Sequence, residues 1–345
     1  MHTIRAGRGD SVRPVKQRLF DTKYAHLDEH GQIRLARALG PVCDVHAHLA
    51  LSYVKSGQVD LDRDVDPEVY LDPKLPLDLD AYMNQNFDAA SMNRMKLSLS
   101  LGSLVRSGMR ATHTAPALER SMKRANIQRS LILAIDLPFG TPNTEAYLTV
   151  AADRRGLLPA AAVHPMAPGA ERALRDAIAR GARCMKMHPA VQQMKPDHPK
   201  AMRLYEICGE LGVPVMWHCG PVGIVSKAAD ERCRVKHYWE PIHALPNTTF
   251  VLGHTGALQY EMGVKLARMY ENVYVEIACQ GQRAIEHILR NAPPERILNG
   301  SDFPFYHQAV SIVKIALATE DDEALRRKVF HENFDRLFPV ASASP

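Results

Sequence analysis

The chain has 345 residues, 46% of them hydrophobic and 23% charged, and a net charge of +5. Such a composition can bury a full core, and no run of about 18 apolar residues offers a membrane span. The basic residues are scattered and form no stripe, which argues against nucleic-acid binding and leaves at most a mild attraction for anionic substrates.

Residues 1–40 are polar. Arg5, Arg8, Arg13, Lys16 and Arg18 precede no apolar h-region, so a secretory signal is not expected, and Asp10 weakens a transit-peptide reading. Gly31 marks a turn, and a short helix is expected over Ile33–Leu39. The segment is too small for a domain and reads as an arm packing on the rest of the chain or on a partner subunit. The remainder, 41–340, reads as one catalytic unit.

That unit opens with Pro41-Val42-Cys43-Asp44-Val45-His46-Ala47-His48-Leu49, whose β-branched residues suit a buried strand. Alternation predicts that Asp44, His46 and His48 project from one face. Two imidazoles so placed can converge on one ion at about 2.0–2.1 Å, although a lone His-x-His is a weak signal. Residues 50–127 form a long insertion. Pro67, Pro73 and Pro76 argue for irregular structure, with helical patterning over Tyr82–Val105, and an insertion of this length is expected to form a lid or wall over a site. Arg106, Arg110 and His113 near its end are candidate substrate contacts.

A regular rhythm follows. Strand-like runs occur at Ser130–Leu137, Leu158–His164, Cys184–His188, Val213–His218, Thr249–His254, Val273–Ala278 and Arg296–Asp302, separated by amphipathic stretches such as Ala170–Arg180, Lys200–Leu211 and Glu261–Glu271. With the opening strand, this alternation predicts an α/β fold, a (β/α)8 TIM barrel with a long insertion after its first strand. Asp321–Phe338 reads as a closing helix pair. The six cysteines show no Cys-x-x-Cys and fit a reducing, cytoplasmic compartment. Trp217 alternates with His218 and should point away from the barrel axis.

Barrel active sites lie at the C-terminal strand ends. Those ends carry His46 and His48, His164, Lys186 and His188, His218, His254 and Asp302. Two histidines from one strand, one from another and an aspartate from the last make a mixed nitrogen and oxygen set that suits Zn2+, with Mn2+, Co2+ or Fe2+ as alternatives, and leaves room for water.

The motifs His46-Ala47-His48, Lys186-Met187-His188-Pro189, His218-Cys219-Gly220, Gly253-His254-Thr255-Gly256, Gly300-Ser301-Asp302-Phe303-Pro304 and Asn333-Phe334-Asp335-Arg336-Leu337-Phe338 resemble the amidohydrolase superfamily. The likeness is to the amidohydrolase-related branch, which includes aminocarboxymuconate-semialdehyde decarboxylase-like enzymes. The resemblance implies that His46, His48, His218 and Asp302 bind one divalent metal and that His254 is a non-ligand or weak-ligand catalytic histidine. It also implies that Asp302 takes a proton from a metal-activated water. In binuclear relatives a carboxylated lysine ends the fourth strand, and Lys186 leaves that pattern open. The Lys-Met-His-Pro motif is closer to mononuclear members, where Lys186 and His188 line the substrate pocket, with His164 a weaker contact. Dimerisation is a further expectation of the resemblance.

Three functions remain. The first is a metal-dependent hydrolase of an amide, ester or lactone in a small, optionally carboxylated substrate. The second is a non-oxidative decarboxylase of an aromatic or dienoic acid, which needs Arg106, Arg110 or a partner's arginine to hold the carboxylate. The third, a binding module with a structural ion, fits less well, because structural zinc sites are closed and four-coordinate.

Overall fold

The computed structural model describes residues 16–36, 39–139 and 141–339. Eight parallel strands make one sheet: β1 Val42–Ala47, β2 Ile127–Leu133, β3 Leu157–Ala161, β4 Cys184–Met187, β5 Val215–His218, β6 Phe250–Gly253, β7 Val273–Glu276 and β8 Ile297–Leu298. The spatial order follows the chain. The first and last strands meet: Val45 N–H donates to Asn299 O (3.0 Å), Asp302 N–H donates to His46 O (2.8 Å), and an isolated bridge joins Ala47 to Phe303. This is the expected barrel.

Alternation along the strands builds two apolar layers. Cys43, Leu131, Leu158, Cys184, Met216, Val251 and Leu298 form an inner cluster together with Phe334 and Phe338. Residues of opposite parity, such as Ile132, Met185, Val215, Leu252 and Val275, pack in the larger outer cluster under the helices. Trp217 belongs to that outer layer, stacked on Phe250 with ring centroids 4.3 Å apart. Gly253 has no substitute in this layer, since a Cβ there would lie 2.2 Å from Trp217 O.

Three expectations need correction. Ile33–Leu35 is a strand, paired antiparallel with Ala25–Leu27, where a helix was expected. Ile33 and Leu35 are buried while Arg34 between them is less so, a period of two that the short run disguises. The second strand runs Ile127–Leu133 where Ser130–Leu137 was expected, and helix Ala115–Arg124 precedes it. Finally, Asp44 does not share a face with His46 and His48. The β1–β2 register shifts between Asp44 and Ala47, and the Asp44 carboxylate accepts from Ser301 Oγ (2.6 Å) and Gln308 Nε2 (2.8 Å).

The described part of the arm packs on its own barrel: Leu19, Ala25, Ile33 and Leu35 are buried in the main cluster, and Lys16–Gln17 pairs with Leu77–Asp78 of the insertion. Arg5, Arg8 and Arg13 lie outside the described residues. Among those described, no helix is long and apolar enough to cross a membrane.

Candidate metal and active site

The register shift that turns Asp44 away carries His46 and His48 to the C-terminal mouth of the barrel. Each imidazole is fixed through Nδ1. His48 Nδ1–H donates to Leu133 O at 2.6 Å, and a carbonyl can only accept, so the tautomer is settled. His46 Nδ1–H donates to Glu276 Oε1 at 2.8 Å. Both Nε2 lone pairs are thereby left for a cation, an arrangement typical of metal-binding histidines. Both face one oxygen: Asp302 Oδ1 lies 3.5 Å from His46 Nε2 and 3.4 Å from His48 Nε2. These three residues offer donor atoms all within 4.8 Å of one another. Two imidazoles and a carboxylate on a buried floor fit a divalent ion.

Glu276, wholly buried at the end of β7, underlies the cluster. Its Oε1 also accepts from His254 N–H (2.6 Å), and its Oε2 accepts from Ala278 N–H (2.6 Å). Those three donors make Glu276 a support that holds His46 from behind, and its carboxylate also lies in a group with His46 and His254 whose donor atoms are within 4.8 Å of one another. Burial pushes its carboxyl well above the ordinary value. Gly300 makes room for it: a Cβ there would lie 2.4 Å from Glu276 Oε2 and 3.0 Å from the His46 Cβ. The sequence reading passed over Glu276. The available signal was a lone acid in the apolar run Val273-Tyr274-Val275-Glu276-Ile277-Ala278, since a charge on a buried strand demands partners.

Around this floor stand five more polar groups. Lys186 Nζ is 3.4 Å from His46 Nε2, and burial lowers its pKa. His188 stacks on His218, with ring centroids 4.0 Å apart and planes 6° apart. The His254 ring lies 4.9 Å from that of His218 and 4.8 Å from that of His46. Cys279 Sγ lies 3.4 Å from Asp302 Oδ2. His254, Cys279 and Asp302 all hold left-handed backbone, at φ 55°, 68° and 61°. Such conformations cost about 1–3 kcal/mol each and persist only where the surroundings enforce them.

A cavity of about 180 Å3 opens above the cluster. The insertion supplies Leu51, Tyr53, Tyr82, Asn84, Met95 and Leu99 to its wall, and the strand-end loops supply Ile135, Val191, Val222, Phe305 and Tyr306. Asn84 Nδ2 donates to Val222 O at 2.5 Å, tying the insertion to the loop after β5.

A family model described as amidohydrolase matches residues 43–340, which include every residue of this cluster. The chain belongs to the amidohydrolase family. No curated protein shows significant similarity to it. Solved structures share the barrel at low identity. An uncharacterised TIM-barrel protein from Bordetella bronchiseptica is 16% identical, with 86% of this chain and 98% of that one covered and a TM-score of 0.59. A probable 2-pyrone-4,6-dicarboxylic acid hydrolase from Acinetobacter baumannii is 12% identical, covering 87% and 100%, with a TM-score of 0.56. A dihydroxybenzoic acid decarboxylase from Polaromonas, solved with manganese and 2-nitroresorcinol, is 17% identical, covering 68% and 89%, with a TM-score of 0.52.

In this amidohydrolase the residues expected at the site divide into two groups. His46, His48, Lys186, His188, His218, His254 and Asp302 all line the one cavity. Within it, His218 is not among the donors grouped within 4.8 Å of His46, His48 and Asp302; its ring is engaged by His188. His164, Arg110 and His113 do not line the cavity. His164 donates from Nε2 to Gln192 O (2.8 Å) and accepts at Nδ1 from Met166 N–H (3.1 Å), so neither nitrogen is free. The Arg110 guanidinium is buried among carbonyls, donating to Leu51 O (3.1 Å) and Gly57 O (2.8 Å), and there braces the insertion. His113 is buried against Tyr70 and Phe303. Arg106 donates to Ser56 O at 3.0 Å on the surface.

Burial first, then the neighbouring positive groups, push His46, His188 and His218 far below the ordinary histidine value, and burial pushes His254 down to about 4. For Asp302 burial acts upward, but the hydrogen bond from His48 and the positive charge of nearby Lys186 outweigh it and hold the carboxyl low. His46, His188, His218 and His254 are thus neutral and Asp302 ionised at neutral pH, as a cation requires. A stability consequence follows for the metal-free protein. Unfolded histidines titrate near 6.5, so as pH falls from about 6.5 towards 4 the unfolded chain takes up protons that the folded one refuses, and stability drops. Burial lowers His113 and His307 as well, to about 3 and about 4, so six histidines act in this direction, against the three carboxyls that burial raises, Glu276, Asp44 and Asp136. Urea midpoints measured between pH 7 and 4.5 should fall steadily; a flat profile would contradict the buried neutral histidines.

Proposed function

We propose that this amidohydrolase is a metal-dependent hydrolase of small, uncharged esters, lactones or amides. One observation carries the reading: the cavity lining is mostly apolar and includes no arginine, Lys186 beside His46 being its one lysine or arginine. A decarboxylase substrate brings a carboxylate that needs a charged clamp. The arginines considered for that task, Arg106 and Arg110, are bonded to backbone carbonyls elsewhere.

His46, His48 and Asp302 would hold the ion, with His218 beside them. When bound, a divalent cation supplies Lewis-acid polarisation and acidifies water towards neutral pH. Asp302, kept ionised, accepts a proton from the attacking water and returns it to the leaving group. His254, neutral and buried, faces the cavity and supports negative charge developing on the substrate oxygen. His188 accepts at Nδ1 from Val191 N–H, which leaves Nε2–H as a donor to substrate. The apolar wall excludes water and strengthens each of these contacts.

The test is a paired screen on purified protein. Neutral lactones, aryl esters and anilides are followed by acid release, and resorcylate-, pyridine- and muconate-type acids by carbon dioxide release. Turnover is expected in the first set, abolished by chelation and restored by Zn2+, Mn2+ or Co2+. Carbon dioxide release without hydrolysis would establish the decarboxylase instead, and activity surviving complete metal removal would remove the cation from the reaction.

A further inference from the structure

We propose that His254, Cys279 and Asp302 form a second cation site, for a soft or borderline divalent ion such as Cd2+ or excess Zn2+. It shares Asp302 with the first site and therefore rests on the reading that His46, His48 and Asp302 hold the first ion.

The Asp302 carboxylate looks two ways. Oδ1 faces the Nε2 atoms of His46 and His48 at 3.5 and 3.4 Å, while Oδ2 faces Cys279 Sγ at 3.4 Å. His254 completes the second set: its Nδ1 lies 3.3 Å from Ala278 O, which takes the Nδ1–H and leaves the Nε2 lone pair to the cavity. The donor atoms of the three residues lie within 4.8 Å of one another, and all three residues line the cavity. Small side-chain rotations close that span to the roughly 2.0–2.3 Å that nitrogen, oxygen and sulfur donors take around zinc. Sulfur sets the preference, because thiolate selects softer ions over Mg2+ or Ca2+. It also supplies negative charge: two neutral imidazoles and one carboxylate leave the first ion with a net positive charge, and a second ion beside it needs an anionic donor of its own.

Without an ion the Cys279 thiol donates to Asp302 Oδ2. On binding, the Cys279 sulfur exchanges its proton for the cation, the proton leaves to solvent, and no electrons move. The second ion engages His254 and the free oxygen of Asp302, groups that turnover requires, so its occupancy inhibits. Zn2+ should activate at one equivalent and inhibit in excess.

The experiment titrates Cd2+ into protein already loaded with one equivalent of Zn2+. The readouts are the ultraviolet thiolate-to-cadmium absorption, metal content and proton release. One further ion per chain, with the band and one released proton, is expected in the wild type. In Cys279→Ser the band should vanish while the first equivalent stays bound; Cys279→Ala is the second variant should serine disturb folding. A band that persists in both variants, or no second equivalent, overturns the second site and leaves the hydrolase reading standing. A thiolate-bound ion with no thiol-independent one overturns the first site instead.

Discussion

Asp302→Asn is expected to lower kcat by about 10²–10⁴-fold, the range that general acid–base groups contribute, while the barrel stays folded. Asparagine matches aspartate in shape and is among the few residues that tolerate a φ of 61°, so the left-handed backbone at the end of β8 survives the change. The backbone anchors survive as well: Asp302 N–H still donates to His46 O, and Phe305 N–H still donates to Asp302 O at 2.9 Å. What disappears is the negative charge between His46 and His48, and with it both an anionic ligand and the proton acceptor. Steady-state rates alongside circular dichroism and metal content separate the two losses. Turnover at the wild-type rate in a folded Asp302→Asn protein would remove this residue from the chemistry.

Glu276 gives the second large effect, on metal affinity and stability together. In Glu276→Ala, His46 Nδ1–H and the backbone N–H groups of His254 and Ala278 all lose their acceptor inside the protein. A buried donor left unsatisfied costs about 1–3 kcal/mol, so three of them threaten a large part of the roughly 5–15 kcal/mol that holds a typical domain. Glu276→Gln keeps the shape and one acceptor oxygen. It isolates the orienting role, and there zinc affinity should fall about 10–100-fold, as for other groups that hold a liganding histidine from behind. Competition against a chelator of known affinity measures the second effect and urea denaturation the first. Unchanged affinity in Glu276→Gln would reduce Glu276 to a packing element.

Most of the architecture was legible because it repeats. Eight apolar runs separated by amphipathic stretches leave few alternatives to a barrel, and the barrel brings the strand ends together, so His46, Lys186, His218, His254 and Asp302 could be read as neighbours from position alone. What escaped the reading depends on contacts between distant segments. His164 ends its strand like the others, yet Gln192, 28 residues on, takes its Nε2–H. Arg110 resembles a substrate clamp until the carbonyls of Leu51 and Gly57 are seen around it. Asp44 sits two residues before His46, and only the register shift sends it to Ser301 and Gln308. The Ile33–Leu35 strand failed for a different reason: three residues are too few for either period to declare itself.

The seam of the barrel has a consequence for how the protein holds together. β1 and the chain leaving β8 are separated by some 255 positions, yet they meet where Ser301 Oγ approaches His46 O and Asp302 N–H binds that same carbonyl. The cation donors straddle this join, with the histidines on one lip and the aspartate on the other. An ion held by the proposed donors would work as a clasp as well as a reagent, fastening the two ends of the sheet, and metal loading and ring closure would then be one equilibrium seen from two sides. Loss of such an ion would loosen first the join on which the site is built, exposing the empty protein to local opening there.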